Sequence, residues 1–251
     1  MEIIYSKISE DTAERLEELM PAKLSNERIV LNLGNSKIDE SAYKHYQIIN
    51  KVGAIKKCVD KPRTLRILKK GGIRVIKSFD LRRYNPLLFL YLIFRYLIWG
   101  KELVIKDRWN LEVVNLKKFF NLLDKIEKYL TISVKENKFQ EYRVLVYKGK
   151  IFRILEKEPN PNVFAWKNEV CHFEEIPYYW HWRKFVKEIK KECSKASLIL
   201  KIDLCGIDVI RTKKDIKILE VNSGAGMNYG SVRKFYQVLG KELEDGWVNL
   251  G

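Results

Sequence analysis

The segment from Gly206 to Met227 most constrains what this chain can fold into. Gly206-Ile207-Asp208-Val209 is followed by Glu220-Val221-Asn222 and then by Ser223-Gly224-Ala225-Gly226-Met227. Two short β-rich runs, Ile207 to Ile210 and Ile216 to Val221, flank a polar stretch from Arg211 to Asp215 that suits a turn. Folding about Lys214 sets Asp208 across from Glu220, within the ~5 Å of a cross-strand pair. Asn222 then shares the face of Glu220, because strand side chains alternate with period two. Two facing carboxylates repel each other unless a cation lies between them. With an amide oxygen beside them, Asp208, Glu220 and Asn222 form a hard-oxygen set suited to Mg²⁺ that is also held by substrate phosphates. The plainer alternative is a solvated hairpin with scattered acids.

The chain has 251 residues, enough for one large domain or two to three small lobes. Its 46% hydrophobic and 12% aromatic content is that of a globular protein. Cys58, Cys171, Cys193 and Cys205 form no CxxC pair, and three histidines make a structural zinc site a poor fit. Four reduced, mostly buried thiols imply a reducing compartment, and a cytoplasmic location is expected. The N-terminus is acidic and helical in pattern, unlike a secretory signal. Leu87 to Trp99, interrupted by Arg95, falls short of the ~20 apolar residues that span a bilayer and reads as a buried helix, so no membrane is expected as partner. The net charge of +16 favours polyanionic partners such as nucleotides, acidic peptides or nucleic acid. The lysines are spread along the whole chain, so charge supports nucleic-acid binding only weakly.

Helices are predicted over Ser9–Met20, Ser41–Asn50, from Lys61 to the stop at Gly71-Gly72, over Leu116–Tyr129, Tyr179–Ala196 and Ser231–Glu244. Asp60 is placed to cap the third of these, with Pro62 in its first turn. Strands are predicted over Glu27–Leu33, Ile73–Phe79 and Glu102–Ile105. Tyr142–Tyr147 and Ile151–Glu156 read as a hairpin turning at Gly149. Helices and strands mix irregularly, which predicts an α+β fold rather than one doubly wound sheet.

Three basic positions stand out by location. Lys61 begins a helix, where the dipole and free N–H groups already favour phosphate. Lys106 ends the apolar strand Leu103 to Ile105. Arg143 lies in the apolar run Tyr142 to Tyr147, where its guanidinium can fork onto phosphate or carboxylate oxygens.

The order Asp60-Lys61-Pro62-Arg63-Thr64, Leu103-Val104-Ile105-Lys106, Glu141-Tyr142-Arg143-Val144, GIDV and EVNSGAGM resembles the ATP-grasp superfamily. Its glutamate-ligase-like, glutathione-synthetase-like and phage-type branches are the most similar, over roughly Ile29 to Tyr236. The resemblance implies two α+β lobes sandwiching a nucleotide, with a reduced pre-ATP-grasp segment over 1–59, an N-lobe over 60–130 and a C-lobe over 131–251. It implies ATP and Mg²⁺ as cofactors. Lys61 and Lys106 would bind phosphates, and a hinge at Thr131 to Val134, with Ser133, would meet the adenine. Lys157 and Asn168 would be further nucleotide positions. Arg143 would contact the γ-phosphate or acyl-phosphate, and Asp208, Glu220 and Asn222 would hold the metal. The family phosphorylates a carboxylate with ATP and lets an amine attack the acyl-phosphate.

Two departures from the family pattern matter. The segment after Lys106, from Asp107 to Asn115, has no glycine to wrap a triphosphate. Gly206 stands where some ligases carry an arginine, which leaves Arg211 or Arg153 to stabilise the oxyanion. The leading expectation is an ATP-dependent carboxylate–amine ligase acting on a peptide, protein or amino-acid-like acceptor. The alternatives are a degenerate member that binds nucleotide or a partner without ligating, and a basic nucleic-acid-binding protein stacking bases on Trp166, Tyr178, Tyr179, Trp180 and Trp182.

Overall fold

Runs of aliphatic residues set the strands of the computed structural model, which describes residues 1–80, 103–106, 111–114, 131–134, 140–157, 173–176 and 183–248. Glu2–Tyr5 (β1), Ile29–Leu33 (β2) and Gln47–Ile49 (β3) form a parallel sheet in the order β1-β2-β3. All five residues of β2 are buried, as expected of a central parallel strand covered on both faces. The helix Glu10–Glu18 (α1) buries Thr12, Ala13 and Leu16. Ala22–Ser25 (α2), Val52–Val59 (α3) and Lys61–Lys70 (α4) complete the N-terminal helices. Asp60 caps α4 by accepting from the Arg63 N–H at 3.1 Å, and Pro62 sits in its first turn, as the sequence predicts.

A second, antiparallel sheet has the order β4-β7-β5-β6, with β4 at Ser78–Asp80, β5 at Leu103–Lys106, β6 at Leu111–Val114 and β7 at Thr131–Val134. The expected hinge residues Thr131 to Val134 are therefore a strand, bonded to both β4 and β5.

The third sheet carries the hairpin on which the sequence reading rests. Gln140–Tyr147 (β8), Lys150–Lys157 (β9), Phe173–Glu175 (β10), Leu204–Arg211 (β11) and Ile216–Asn222 (β12) pair antiparallel in the order β10-β9-β8-β11-β12. Lys148 (φ 45°) and Gly149 (φ 77°) turn β8 into β9, where two consecutive left-handed residues match the strand twist. One face, with Val144, Val146, Ile207 and Val209, packs under the helix Lys184–Leu200 (α5). The other, with Leu145, Tyr147 and Leu204, packs under Tyr229–Val248 (α6) and the N-terminal sheet.

The two halves meet at Asn50. Its side chain is fully buried and its backbone is left-handed, φ 66°, a conformation asparagine tolerates better than most residues. Nδ2 donates to the carbonyls of Asn32 (3.2 Å), Leu204 (2.8 Å) and Ser223 (3.4 Å), and Oδ1 accepts from the Leu204 N–H at 2.8 Å. One amide thus joins β2, the start of β11 and the loop after β12.

Several expectations need correction. Residues 41–50 form a short 3₁₀ turn, Glu40–Tyr43, and then β3, because Gln47 to Ile49 gain parallel pairing with β2. The strand expected at Ile73 begins only at Ser78. Ser9 precedes α1 without capping it, since its hydroxyl meets that of Ser6. Arg211 belongs to β11 rather than to the turn. The helices expected at 87–99 and 116–129, and the aromatic cluster around Trp166 and Tyr178 to Trp182, lie outside the described residues. Among the described residues no helix is long and apolar enough to cross a membrane.

Asn50→Ala is expected to lower stability by about 3 kcal/mol, because it strands several buried polar groups at once; denaturant titration with an unchanged m-value would show it. Burial pushes the Cys58 thiol to about 11 and raises those of Cys193 and Cys205 as well. At most one of the four thiols should therefore react with a disulfide reagent at pH 8 before unfolding, and all four after it.

Candidate functional site

The hairpin β11–β12 reaches its functional register through one irregularity. Its turn is closed by the Thr212 N–H on the Asp215 carbonyl at 2.8 Å, and Arg211 pairs Ile216, Ile210 pairs Lys217 and Val209 pairs Ile218. The register then shifts, so that Asp208 faces Glu220 and Gly206 faces Asn222. Without that shift Asp208 would face Leu219. Glu220 and Asn222 would share the face of Ile216 and Ile218, which are buried in the core under α5. The bulge is what turns the carboxylate and the amide onto the face of Asp208.

On that face the side chains interlock. β8 sets Arg143 directly opposite Asp208. Arg143 Nε donates to Asp208 Oδ1 at 2.8 Å and Nη2 to Oδ2 at 2.9 Å, a two-pronged ion pair. Asn222 Nδ2 donates to Asp208 Oδ2 at 3.2 Å and to Glu220 Oε1 at 2.9 Å. Lys61, the first residue of α4, donates from Nζ to Asn222 Oδ1 at 2.6 Å and to the Val221 carbonyl at 2.8 Å. Two residues along β8 on the same face, Glu141 pairs with Lys157 at 3.3 Å. Three carboxylates and three cations thus line one strip of sheet. Burial pushes the Asp208 carboxyl upward and the Arg143 guanidinium opposes that rise. Arg143 is held protonated, above all by Asp208.

The loop after β12 closes over one side of this strip. A Cβ on Gly206 would meet the Ala225 carbonyl at 2.5 Å, and one on Gly226 (φ 61°) would meet Arg143 Nη1 at 2.7 Å. Backbone therefore fills the space two residues before Asp208, which leaves no room for an arginine there. Thr12 and Arg15 of α1 fasten the loop. Thr12 Oγ1 accepts from the Met227 N–H at 3.2 Å, and Arg15 Nη1 donates to its carbonyl at 3.1 Å.

Of the residues singled out in the sequence, Lys61, Arg143, Asp208, Glu220 and Asn222 come together, with Lys157 joined to the same face through Glu141. Arg211 does not. It lies on the opposite face, with Ile207 and Val209, and its guanidinium sits 4.2 Å from the centre of the Phe185 ring. Arg153 is engaged with Glu175, Asn228 and Ser231. Lys106 and Thr131 occupy paired register positions on β5 and β7, Ser133 pairs with Val104, and Asn168 lies outside the described residues. Glu141 and Gly226 received no role from the sequence, although period two places Glu141 on the face of Arg143.

Two carboxylates, Asp208 and Glu220, converge on the Asn222 amino group while the Asn222 oxygen turns to Lys61, and paired carboxylate oxygens with cations alongside suit a hard divalent cation that is also held by phosphate. Among the described residues no three His, Cys, Asp or Glu side chains are arranged so that they alone could hold a metal ion.

No protein-family model and no curated protein sequence matches this chain. Solved structures do. The D-alanine–D-alanine ligase from Bacillus anthracis, solved with ATP, aligns over 95% of this chain and 90% of its own, with a TM-score of 0.67 at 14% identity. The chain has the ATP-grasp fold. The ATP-grasp ligase PsnB, solved with its minimal precursor, aligns over 81% of this chain and 72% of its own (TM-score 0.58, 15% identity). The macrocyclase MdnC from Microcystis aeruginosa, solved with the precursor peptide MdnA, aligns over 82% and 73% (TM-score 0.57, 14% identity). The α+β, ATP-grasp architecture expected from the motifs is thus observed.

Deleting Leu219, the extra residue, should leave a regular ladder that still sets Glu220 opposite Asp208, so any divalent-cation effect on nucleotide affinity should survive the deletion, as calorimetry would read. Arg143→Met alone should cost about 3 kcal/mol, because Asp208 is left buried without its partner. Adding Asp208→Leu should recover most of that loss in denaturant titration.

Proposed function

We propose that this chain is an ATP- and Mg²⁺-dependent carboxylate–amine ligase whose acceptor is a peptide, protein or amino-acid-like amine. The observation that carries this reading is the convergence of Asp208, Glu220, Asn222, Arg143 and Lys61 from β8, β11, β12 and α4 on one face. Neighbours of the same fold support it, being ligases solved with ATP, with Mg and ADP, and with precursor peptides.

In this reading Asp208, Glu220 and Asn222 would hold Mg²⁺, which supplies charge neutralisation on the transferring phosphoryl group. Lys61, Lys106 and Lys157 bind the phosphates, and Thr131 and Ser133 lie beside the nucleotide base. Arg143 exchanges Asp208 for phosphate oxygens and stabilises the charge that develops on them. The substrate carboxylate attacks the γ-phosphorus and ADP leaves. The amine then attacks the acyl carbon, loses a proton, and phosphate departs. We place the division between the two lobes after Val134 rather than after residue 130, because β7 pairs with β4 and β5.

Every carboxylate in the strip already has a protein partner. Bare Mg²⁺ must therefore compete with Arg143 and Lys61, whereas a triphosphate draws both away. ATP is expected to bind at least tenfold more tightly with Mg²⁺ than without it, by calorimetry. That gain should vanish in Asp208→Asn/Glu220→Gln while the melting transition stays cooperative. A double variant that kept the metal-dependent gain would remove these residues from the site.

A further inference from the structure

α5 displays a lysine stripe that the nucleotide site leaves unused. Lys184, Lys187, Lys191 and Lys195 follow one another at three and four residues, the spacing of a single helix face, and all four are exposed. The two acids of α5 do not interrupt the stripe. Glu188 is held by Arg74, and Glu192 has an oxygen buried among the described residues. The stripe continues onto α4, which contains no acidic residue and ends in the exposed pair Lys69-Lys70. The two helices touch there: a Cβ on Gly71 would meet the Ile199 side chain, and one on Gly72 would lie 3.6 Å from Lys195 Nζ. Like charges four residues apart, as at Lys191 and Lys195, repel, so a partner that neutralises them adds stability.

We infer that this α4–α5 ridge is a docking surface for an acidic peptide segment, one whose Asp and Glu side chains repeat every three to four residues. The observations favour a peptide over nucleic acid. Ammonium groups repeated along one helix face can each meet a carboxylate spaced the same way along a second helix. Among the described residues of the ridge no exposed aromatic side chain is placed to stack a base, whereas the aliphatic Leu198 is 60% exposed at the end of α5. The ridge is also near enough to the proposed site to serve it. α4 begins at Lys61, which holds Asn222, and reaches Lys70 nine residues on, about 14 Å at the rise of an α-helix. About four or five extended residues cover that distance, so an anchored peptide can present a neighbouring residue for modification. This role deepens the ligase reading and rests on it only for the purpose of docking.

The test is fluorescence anisotropy of a labelled fourteen-residue helical peptide with glutamate at every third or fourth position, without nucleotide. A thymidine oligonucleotide is titrated in parallel. The peptide should bind at low salt, and Lys184→Gln/Lys191→Gln/Lys195→Gln should weaken it at least tenfold. Arg233→Gln/Lys234→Gln/Lys241→Gln on α6, which removes equal charge elsewhere, should change it less than twofold. Equal losses in the two variants would reduce the ridge to a share of the net charge and overturn the proposal. An oligonucleotide that bound more tightly than the peptide and lost its affinity in the ridge variant would also overturn it, in favour of a nucleic-acid surface. Because no ATP is present, the result does not depend on whether the chain ligates.

Discussion

The ion pair between Arg143 and Asp208 is the constraint on which the rest of the site depends. It forms across the β8–β11 seam of the five-stranded sheet, where a buried carboxylate would be costly alone. Once Arg143 is fixed, the loop after β12 must pass with a glycine against its guanidinium. Once Asp208 is fixed, Glu220 has a direction to face, and Asn222 can bridge both carboxylates with one amino group. Lys61 completes the arrangement from α4, which the Asp60 cap and Pro62 start at the right residue.

The site joins parts of the chain that lie far apart in sequence, and the N-terminal segment holds them in place. Asn50 ties β2 to β11 and to Ser223. Thr12 and Arg15 fasten Met227. The parallel sheet of the first fifty residues therefore braces the loop beside the carboxylates, besides packing its own core. The functional strip lies on the sheet face shared with that segment, and the lysine ridge begins where α4 leaves the strip for the opposite face.

Much of this was legible in the residues. Asp208 opposite Glu220 follows from the two β-rich runs and the polar turn, and the α4 start follows from Asp60 and Pro62. The bulge that makes the register work was not, because the turn closes one residue tighter than a fold about Lys214 implies. Nothing in Leu219 marks it as the extra residue. Arg211 was misplaced for a related reason. It lies three positions beyond Asp208, which in a strand puts it on the other face, beside Phe185. Residues 41–50 have a helical pattern but pair with β2, since a parallel partner distant in sequence outweighs local preference. Gly206 looked like a departure from the family until the Ala225 carbonyl accounted for it.

In the proposed ligase, the charge-balanced cluster takes up a divalent cation only when nucleotide draws its internal cations away. Electron paramagnetic resonance of Mn²⁺ titrated with the protein measures this directly. The free Mn²⁺ signal is expected to persist with protein alone, to fall when ADP is added beyond what ADP alone removes, and to be restored in Asp208→Asn. Tight Mn²⁺ binding without nucleotide, or a nucleotide-dependent loss of signal that survives in Asp208→Asn, would contradict it.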